Sequence, residues 1–229
     1  MSTPGQDAPR RPRPHVEVIG LPGAGKTTLL DRLAARGTGD GLSIGRPPDP
    51  SRLATALAKA RLRTRLALRH RDPAWLAVRD AGTRWLLAKY AFRAAAFARR
   101  SGRTPLLLAD AGFLEPLVTR ATYHGAMDAG HQRALLEYVP RPTAVVHVHC
   151  DTDVAFDRFV TRERDLRRLP AGMSLDTLRH NFDVARAVCD ELDRWARTEG
   201  IDLLEIDATD TPTDSELDRL LSEVLTSTR

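Results

Sequence analysis

Four residues carry the strongest chemical signal in the chain. Gly20, Gly25, Lys26 and Thr27 satisfy the spacing G-x-x-x-x-G-K-[ST] with no position missing. Pro22, Gly23 and Ala24 fill the turn between them and Thr28 follows. Glycines let a backbone close around an anion with no Cβ in the way, so that successive N–H groups point inward. A helix starting at the end of the turn presents its positive dipole end to the same anion. Lys26 adds a cation suited to terminal phosphates, and the hydroxyl of Thr27 suits the hard oxygen preference of Mg2+. Gly20, Pro22, Gly23, Ala24, Gly25, Lys26, Thr27 and Thr28 are therefore expected to hold a nucleoside triphosphate, with Thr27 on its metal. The flanks agree: the apolar run Val16–Ile19 reads as a strand, and Leu29, Leu30 and Leu33 read as one face of a helix over Thr27–Arg36.

A second group of residues addresses what happens to the phosphate. Thr104–Asp110 is apolar until it ends in a carboxylate, as a strand buried on both faces would be. Ligands of open α/β sheets lie beyond the carboxyl ends of strands, so Asp110 is the expected Mg2+ ligand and general base, with Glu115 and Asp151 as the other candidates. Five arginines fall between positions 158 and 168. Arg158 and Arg162 stand four apart and share a helix face, from which they would stabilise charge as a phosphoryl group moves. Lys26, Asp110, Arg158 and Arg162 are the expected catalytic set. Phosphoryl transfer needs positioning and charge compensation more than covalent chemistry, and this inventory is adequate for it.

Helices and strands must alternate to position these groups. The remaining strands expected are Leu42–Ile44, Thr143–His149 and Asp202–Ile206. Helices are expected over Ser51–Arg71, Pro73–Arg100 with Asp72 as its cap, most of Glu115–Tyr138 with a break near Gly125, Asp151–Val160, Leu175–Arg197 and Thr213–Leu225. Such alternation gives a parallel sheet covered on both faces. Trp85, Ala88 and Phe92 follow a core spacing, and Arg61, Arg65 and Arg69 a solvated face. His147 and His149 share a strand face; with no third ligand near in sequence, a hydrogen-bonded core role is favoured over metal.

Composition bounds the rest. A chain of 229 residues, 42% hydrophobic and 28% charged, suits one α/β domain over 15–229, preceded by a Pro/Arg-rich disordered arm over 1–14. No apolar run approaches bilayer length, no signal-type stretch opens the chain, and Cys150 and Cys189 make no metal or disulfide pattern, so a reducing cytoplasm is the expected setting. The net charge of +5 is almost all arginine, lysine standing only at Lys26, Lys59 and Lys89. Arginine-rich surfaces suit anionic partners. No basic platform interleaved with aromatics is present, which disfavours nucleic acid.

With those residues in hand, the sequence resembles the small P-loop kinases of nucleosides and nucleotides, the thymidylate kinase and deoxyribonucleoside kinase group. The resemblance rests on Gly20–Thr28, on Leu106–Asp110, on Val146–Val148 followed by Asp151–Arg164, and on Ile206–Thr209. It implies a three-layer P-loop NTPase fold with a five-stranded, mostly parallel sheet and an arginine-rich helical lid. It also implies Lys26 on the β- and γ-phosphates, Arg158, Arg162 and Arg164 as lid arginines on phosphates, and Ala208 beside the adenine. The chain departs from the group at Asp110-Ala111-Gly112-Phe113, where thymidylate kinases carry an arginine after the acid. The cofactors implied are ATP and Mg2+; no Asn-Lys-x-Asp guanine motif occurs. The expected partners are a nucleoside triphosphate and a small-molecule acceptor, with a homodimer left open. The competing readings are an NTP-hydrolysing switch and a nucleic-acid end-processing kinase.

Overall fold

The apolar runs bracketed by turn residues pair in parallel. His15–Ile19 (β1) lies between Leu106–Leu108 (β3) and Ala144–His149 (β4). Ser43–Ile44 (β2) adds outside β3, and Asp202–Asp207 (β5) outside β4. The order is β2-β3-β1-β4-β5. Among the described residues, β1, β4 and β5 run five or six residues, and β2 and β3 two and three. The computed structural model describes residues 15–36, 43–44, 49–98, 106–108, 112–165 and 172–228. The expected arm, the Arg46–Pro48 segment and Asp110 lie outside the described residues.

The chain leaves β1 in one direction toward β2 and leaves β4 in the other toward β5. Right-handed crossovers therefore place Lys26–Ala35 (α1) and the β4–β5 helices on opposite faces of the sheet. Thr152–Asp165 (α6) and Leu175–Thr198 (α7) make that second crossover. Along α7, Leu178, Phe182, Ala185, Cys189, Leu192 and Ala196 recur at helical spacing, all buried. Each large apolar side chain of that row contributes about 1.5–3 kcal/mol by leaving water. Glu115–His124 (α4) packs between α7 and Ala81–Ala98 (α3), and Arg52–His70 (α2) packs on α3. Ala129–Leu136 (α5) completes this layer before β4. Asp214–Ser227 (α8) opens with a capping box between Thr213 and Glu216, and Asp214 and Asp218 pair with Arg32 and Arg36 of α1.

Several elements differ from the sequence expectation. Asp72 accepts from the amide of Ala74 at 2.8 Å, but it caps only a single 3-10 turn, Pro73–Trp75; the long helix starts eight residues later at Ala81. The buried row of that helix is Leu86, Leu87, Tyr90 and Ala91, whereas Trp85 is only partly buried and Phe92 is exposed. The aromatic spacing matched a helical period but named the wrong face, because Leu86, Leu87, Tyr90 and Ala91 recur at helical intervals on a neighbouring stripe. Leu53 and Leu57 are exposed, and only the C-terminal half of α2, at Leu62 and Leu66, reaches the core.

The phosphate loop is held from behind. Gly20 and Gly23 have φ of +146° and +88°. A Cβ on Gly20 would come within 2.5 Å of the Val148 carbonyl, and one on Gly23 would run into the Ala155 carbonyl of α6. The loop thus presses on the backbones of β4 and α6 with no side chain between. Gly23→Ala is expected to cost roughly 2–4 kcal/mol, adding a left-handed backbone penalty to a backbone collision. Gly172, at φ +82° with open space around it, is the control and should cost about 1 kcal/mol as alanine. Equal urea midpoints for the two variants would show that the packing against α6 is not what constrains the loop.

Asp80, just before α3, accepts from the amide of Thr83 at 2.5 Å and from Arg120 of α4 at 3.3 Å. These bonds, those from Thr83 first, pull its carboxyl down to about 2. Its stabilising effect is present above the unfolded-state value near 4 and is lost as pH falls through 2. Asp80→Asn should therefore narrow the stability difference between pH 5 and pH 2, measured by urea unfolding; an unchanged difference would refute the assignment.

Candidate active site

At the carboxyl ends of the strands, a cavity of about 420 Å3 opens over the glycine loop. Its floor is Pro22, Gly23, Gly25, Lys26, Thr27 and Thr28. Gly25 is the N-cap of α1, at φ +88°, and supplies no side-chain cap; the first turn of α1 carries no acidic residue. The opening amides of α1 and its dipole therefore face the cavity with no negative side chain of their own to answer them, which is the condition for binding an external anion. The Lys26 ammonium is buried and donates to the carbonyls of Gly20 at 2.8 Å and Leu21 at 3.0 Å, so its head is held over the loop mouth.

One wall comes from α6. Arg158 and Arg162 both line the cavity, as their four-residue spacing requires. Arg158 donates to the carbonyls of Ala208 at 3.0 Å and Thr209 at 2.7 Å, which ties α6 to the loop after β5. Arg162 lies with its guanidinium carbon 5.5 Å from the Phe159 ring centre and pairs with Glu163 at 3.1 Å. Beside them stand Ala208, Asp210, Thr211 and Pro212 of the β5–α8 loop. That loop is set by Asp207, which accepts from the amide of Thr209 at 2.8 Å; this bond holds its carboxyl below the usual range. Arg32 of α1 reaches the same loop, donating to the Pro212 carbonyl at 2.5 Å.

Another wall is one face of α4: Glu115, Thr119 and Tyr123. Glu115 is fixed by two neighbours, the hydroxyl of Thr119 on one oxygen and Arg93 of α3 on the other at 3.2 Å. Arg93 is buried and donates also to the carbonyl of Gly112. Beneath them lies Glu17, a fully buried carboxylate on β1. It accepts from the amides of Phe113 at 2.8 Å and Leu114 at 3.2 Å. The N-cap position of α4, Leu114, offers no side-chain cap, and Glu17 supplies the acceptor from another element.

The cavity thus gathers Pro22, Gly23, Gly25, Lys26, Thr27, Thr28, Arg158, Arg162 and Ala208 of the expected set. Gly20 and Ala24 are buried behind it, and Arg164 is an exposed residue of α6 that does not line it. Asp151 accepts from the amides of Asp153 and Val154 at 2.9 and 3.1 Å, so its carboxylate caps α6. Arg32, Thr119, Tyr123, Arg93 and Glu17 were missed. For the last two a signal existed: a lone arginine in the apolar run Tyr90–Ala98, and a lone glutamate inside Val16–Ile19. Both cysteine thiols are pushed up by burial, Cys189 to about 12, which removes them as nucleophiles. For Mg2+ the fit is good, since the cavity presents the hard oxygens of Thr27 and Glu115 and neither sulfur nor imidazole.

No protein-family model matches the sequence, and no curated protein matches it. Solved structures do. Deoxyadenosine kinase from M. mycoides with bound dATP superposes with a TM-score of 0.54 at 12% identity, over 92% of this chain and 98% of that one. A second structure of that enzyme, with bound dCTP, gives 0.49 at 14% identity over 93% and 99%. The arrangement of helices around a parallel sheet is similar to the fold of that deoxyadenosine kinase.

Proposed function

We propose that the chain is an ATP-dependent phosphotransferase that moves the γ-phosphate of MgATP to a hydroxyl of a small acceptor of the nucleoside class. One observation carries this reading: the uncapped start of α1, the α6 arginines and the Glu115 carboxylate all line a single cavity. The carboxylate of Glu115, fixed by two donors, can take a proton from an acceptor hydroxyl, as transfer requires. The fold shared with an enzyme that phosphorylates deoxyadenosine supports a nucleoside acceptor.

In this scheme the loop amides and Lys26 hold the β- and γ-phosphates. Thr27 would hold Mg2+, with Asp110 or Glu115, and the ion supplies charge neutralisation between the phosphates. A carboxylate takes the acceptor's hydroxyl proton, either Asp110 or Glu115, as the oxygen attacks phosphorus. The bond from the γ-phosphorus to the bridging oxygen breaks and ADP leaves. Arg162 offsets the charge that develops, while Ala208 and the Asp207–Pro212 loop border the adenine. Arg93 places a guanidinium on the loop after β3, where the chain has alanine and glycine in place of the arginine of related kinases.

Incubation with MgATP and a panel of deoxynucleosides, nucleotides and hydroxylated metabolites should add one phosphate to an acceptor, deoxyadenosine being the first to try. Phosphate release with no acceptor phosphorylated would replace this reading with the hydrolytic one. Lys26→Ala should lower transfer on the order of 100-fold or more, with the circular dichroism spectrum retained. Unchanged turnover would remove the proposed site. Arg162→Ala should lower kcat about 100-fold with little change in the KM for ATP, because its charge matters most as the phosphoryl group moves. A raised KM at normal kcat would assign it to ground-state binding instead.

A further inference from the structure

A second cluster stands apart from the cavity, on the face of the sheet covered by α7. His147 and His149 of β4 share that face, and their rings stack with centres 3.9 Å apart. Asp193 of α7 comes down onto them: its Oδ2 lies 2.7 Å from Nδ1 of His147. His147 and Asp193 are each only 5% exposed. One ligand atom from each of the three residues can be chosen so that all lie within 4.8 Å of one another. Neighbouring Glu205 of β5 is the register partner of His147 and lies 3.5 Å from Nε2 of His149.

A hydrogen-bonded core pair explains only part of this. It accounts for His147 with one oxygen of Asp193. It leaves the other oxygen, Oδ1, buried with no hydrogen-bond partner among the described residues, and a bare carboxylate oxygen in the interior is costly. The second imidazole packs on this pair with the exposed Glu205 near its Nε2. A divalent cation takes the unpartnered oxygen and a nitrogen from each ring.

We propose that His147, His149 and Asp193 form a binding site for a transition-metal ion, Zn2+ by preference. Two imidazole nitrogens and one carboxylate oxygen suit Zn2+, whereas Mg2+ and Ca2+ select all-oxygen shells, so this site and the Thr27 site take different metals. Tetrahedral bonds of about 2.0–2.1 Å put ligand atoms about 3.3 Å apart, so the three ligand atoms, now within 4.8 Å of one another, must draw together by up to about 1.5 Å. Glu205, in an exposed ion pair with Arg197 at 3.2 Å, stands beside the site on its His149 side. Water completes the shell of the ion, and the Glu205 carboxylate is near enough to offset its remaining charge. His149 is 43% exposed, which gives the ion a way in. The site joins β4 to α7, with no part in phosphoryl transfer.

The test uses tag-free, chelator-treated full-length protein with no nucleotide present. Calorimetric titration with Zn2+ should give one tight equivalent that millimolar Mg2+ does not displace, and Co2+ should give the visible bands of a tetrahedral nitrogen/oxygen site. Saturating Zn2+ should raise Tm by about 5 °C. His149→Ala, at a half-exposed position that tolerates truncation, should weaken Zn2+ binding ~100-fold or more. Asp193→Asn should do the same if it folds. No stoichiometric Zn2+ binding, or equal affinity in His149→Ala, overturns the proposal.

Discussion

The close backbone approach at Gly23 is the constraint on which the site depends. The loop can curl around an anion only if something holds its outer side, and here the Ala155 carbonyl of α6 does so with no room for a side chain between. That contact also fixes where α6 starts relative to the loop. Arg158 and Arg162 follow Ala155 by one and two helical turns, so once Gly23 touches Ala155 both arginines must stand over the loop. The geometry of the anion floor and of its cationic wall is one arrangement. The Val148 carbonyl behind Gly20 extends it to β4, which makes the middle of the sheet the reference frame for the whole cavity.

How legible this was in the sequence divides by distance along the chain. The loop and α1 are contiguous, and their chemistry follows from residue type and spacing alone. The α6 arginines were readable because a helix converts a four-residue interval into a shared face. The wall formed by α4 was not, since it depends on three residues far apart: Glu17 on β1, Arg93 on α3 and Glu115 on α4. No local pattern links positions 17, 93 and 115; only the β3-β1 pairing and the packing of α3 on α4 bring them together. The same limit applied to His147 and His149, whose third partner, Asp193, arrives from a helix 46 residues on. The face of α3 was misread for a different reason. A helix carrying apolar residues almost all round offers several matches to the same period, and the packing of α2 and α4 on it decides which one is buried.

The buried carboxylate at Glu17 shows how a local rule can be broken for a distant purpose. A charged residue in the middle of a central parallel strand weakens that strand and costs desolvation. It is retained where two amide donors converge on it, at Phe113 and Leu114, ahead of a helix that has no cap of its own. Gly112 fits the same scheme, because a side chain there would collide with the Glu17 carboxylate. Glu17, Gly112 and the Arg93 bond to the Gly112 carbonyl therefore act together, setting the height at which Glu115 faces the loop.

The two α6 arginines are held in different ways, and the difference sorts what each can do. Both cavity-side nitrogens of Arg158 go to carbonyls, of Ala208 and Thr209, within a loop that Asp207 has already shaped. Moving that guanidinium toward a phosphate would break two bonds at once and release the loop. Arg158 is thereby a strut that keeps the β5–α8 loop at a fixed width from α6. Among the described residues, Arg162 pairs with the adjacent Glu163 and lies on the face of Phe159, and its side chain is 53% exposed. Exchanging the Glu163 contact for a phosphate oxygen breaks one ion pair to a buried carboxylate but releases no loop. A charge that must follow a moving phosphoryl group has to be available without dismantling its own support, and of the two only Arg162 meets that condition.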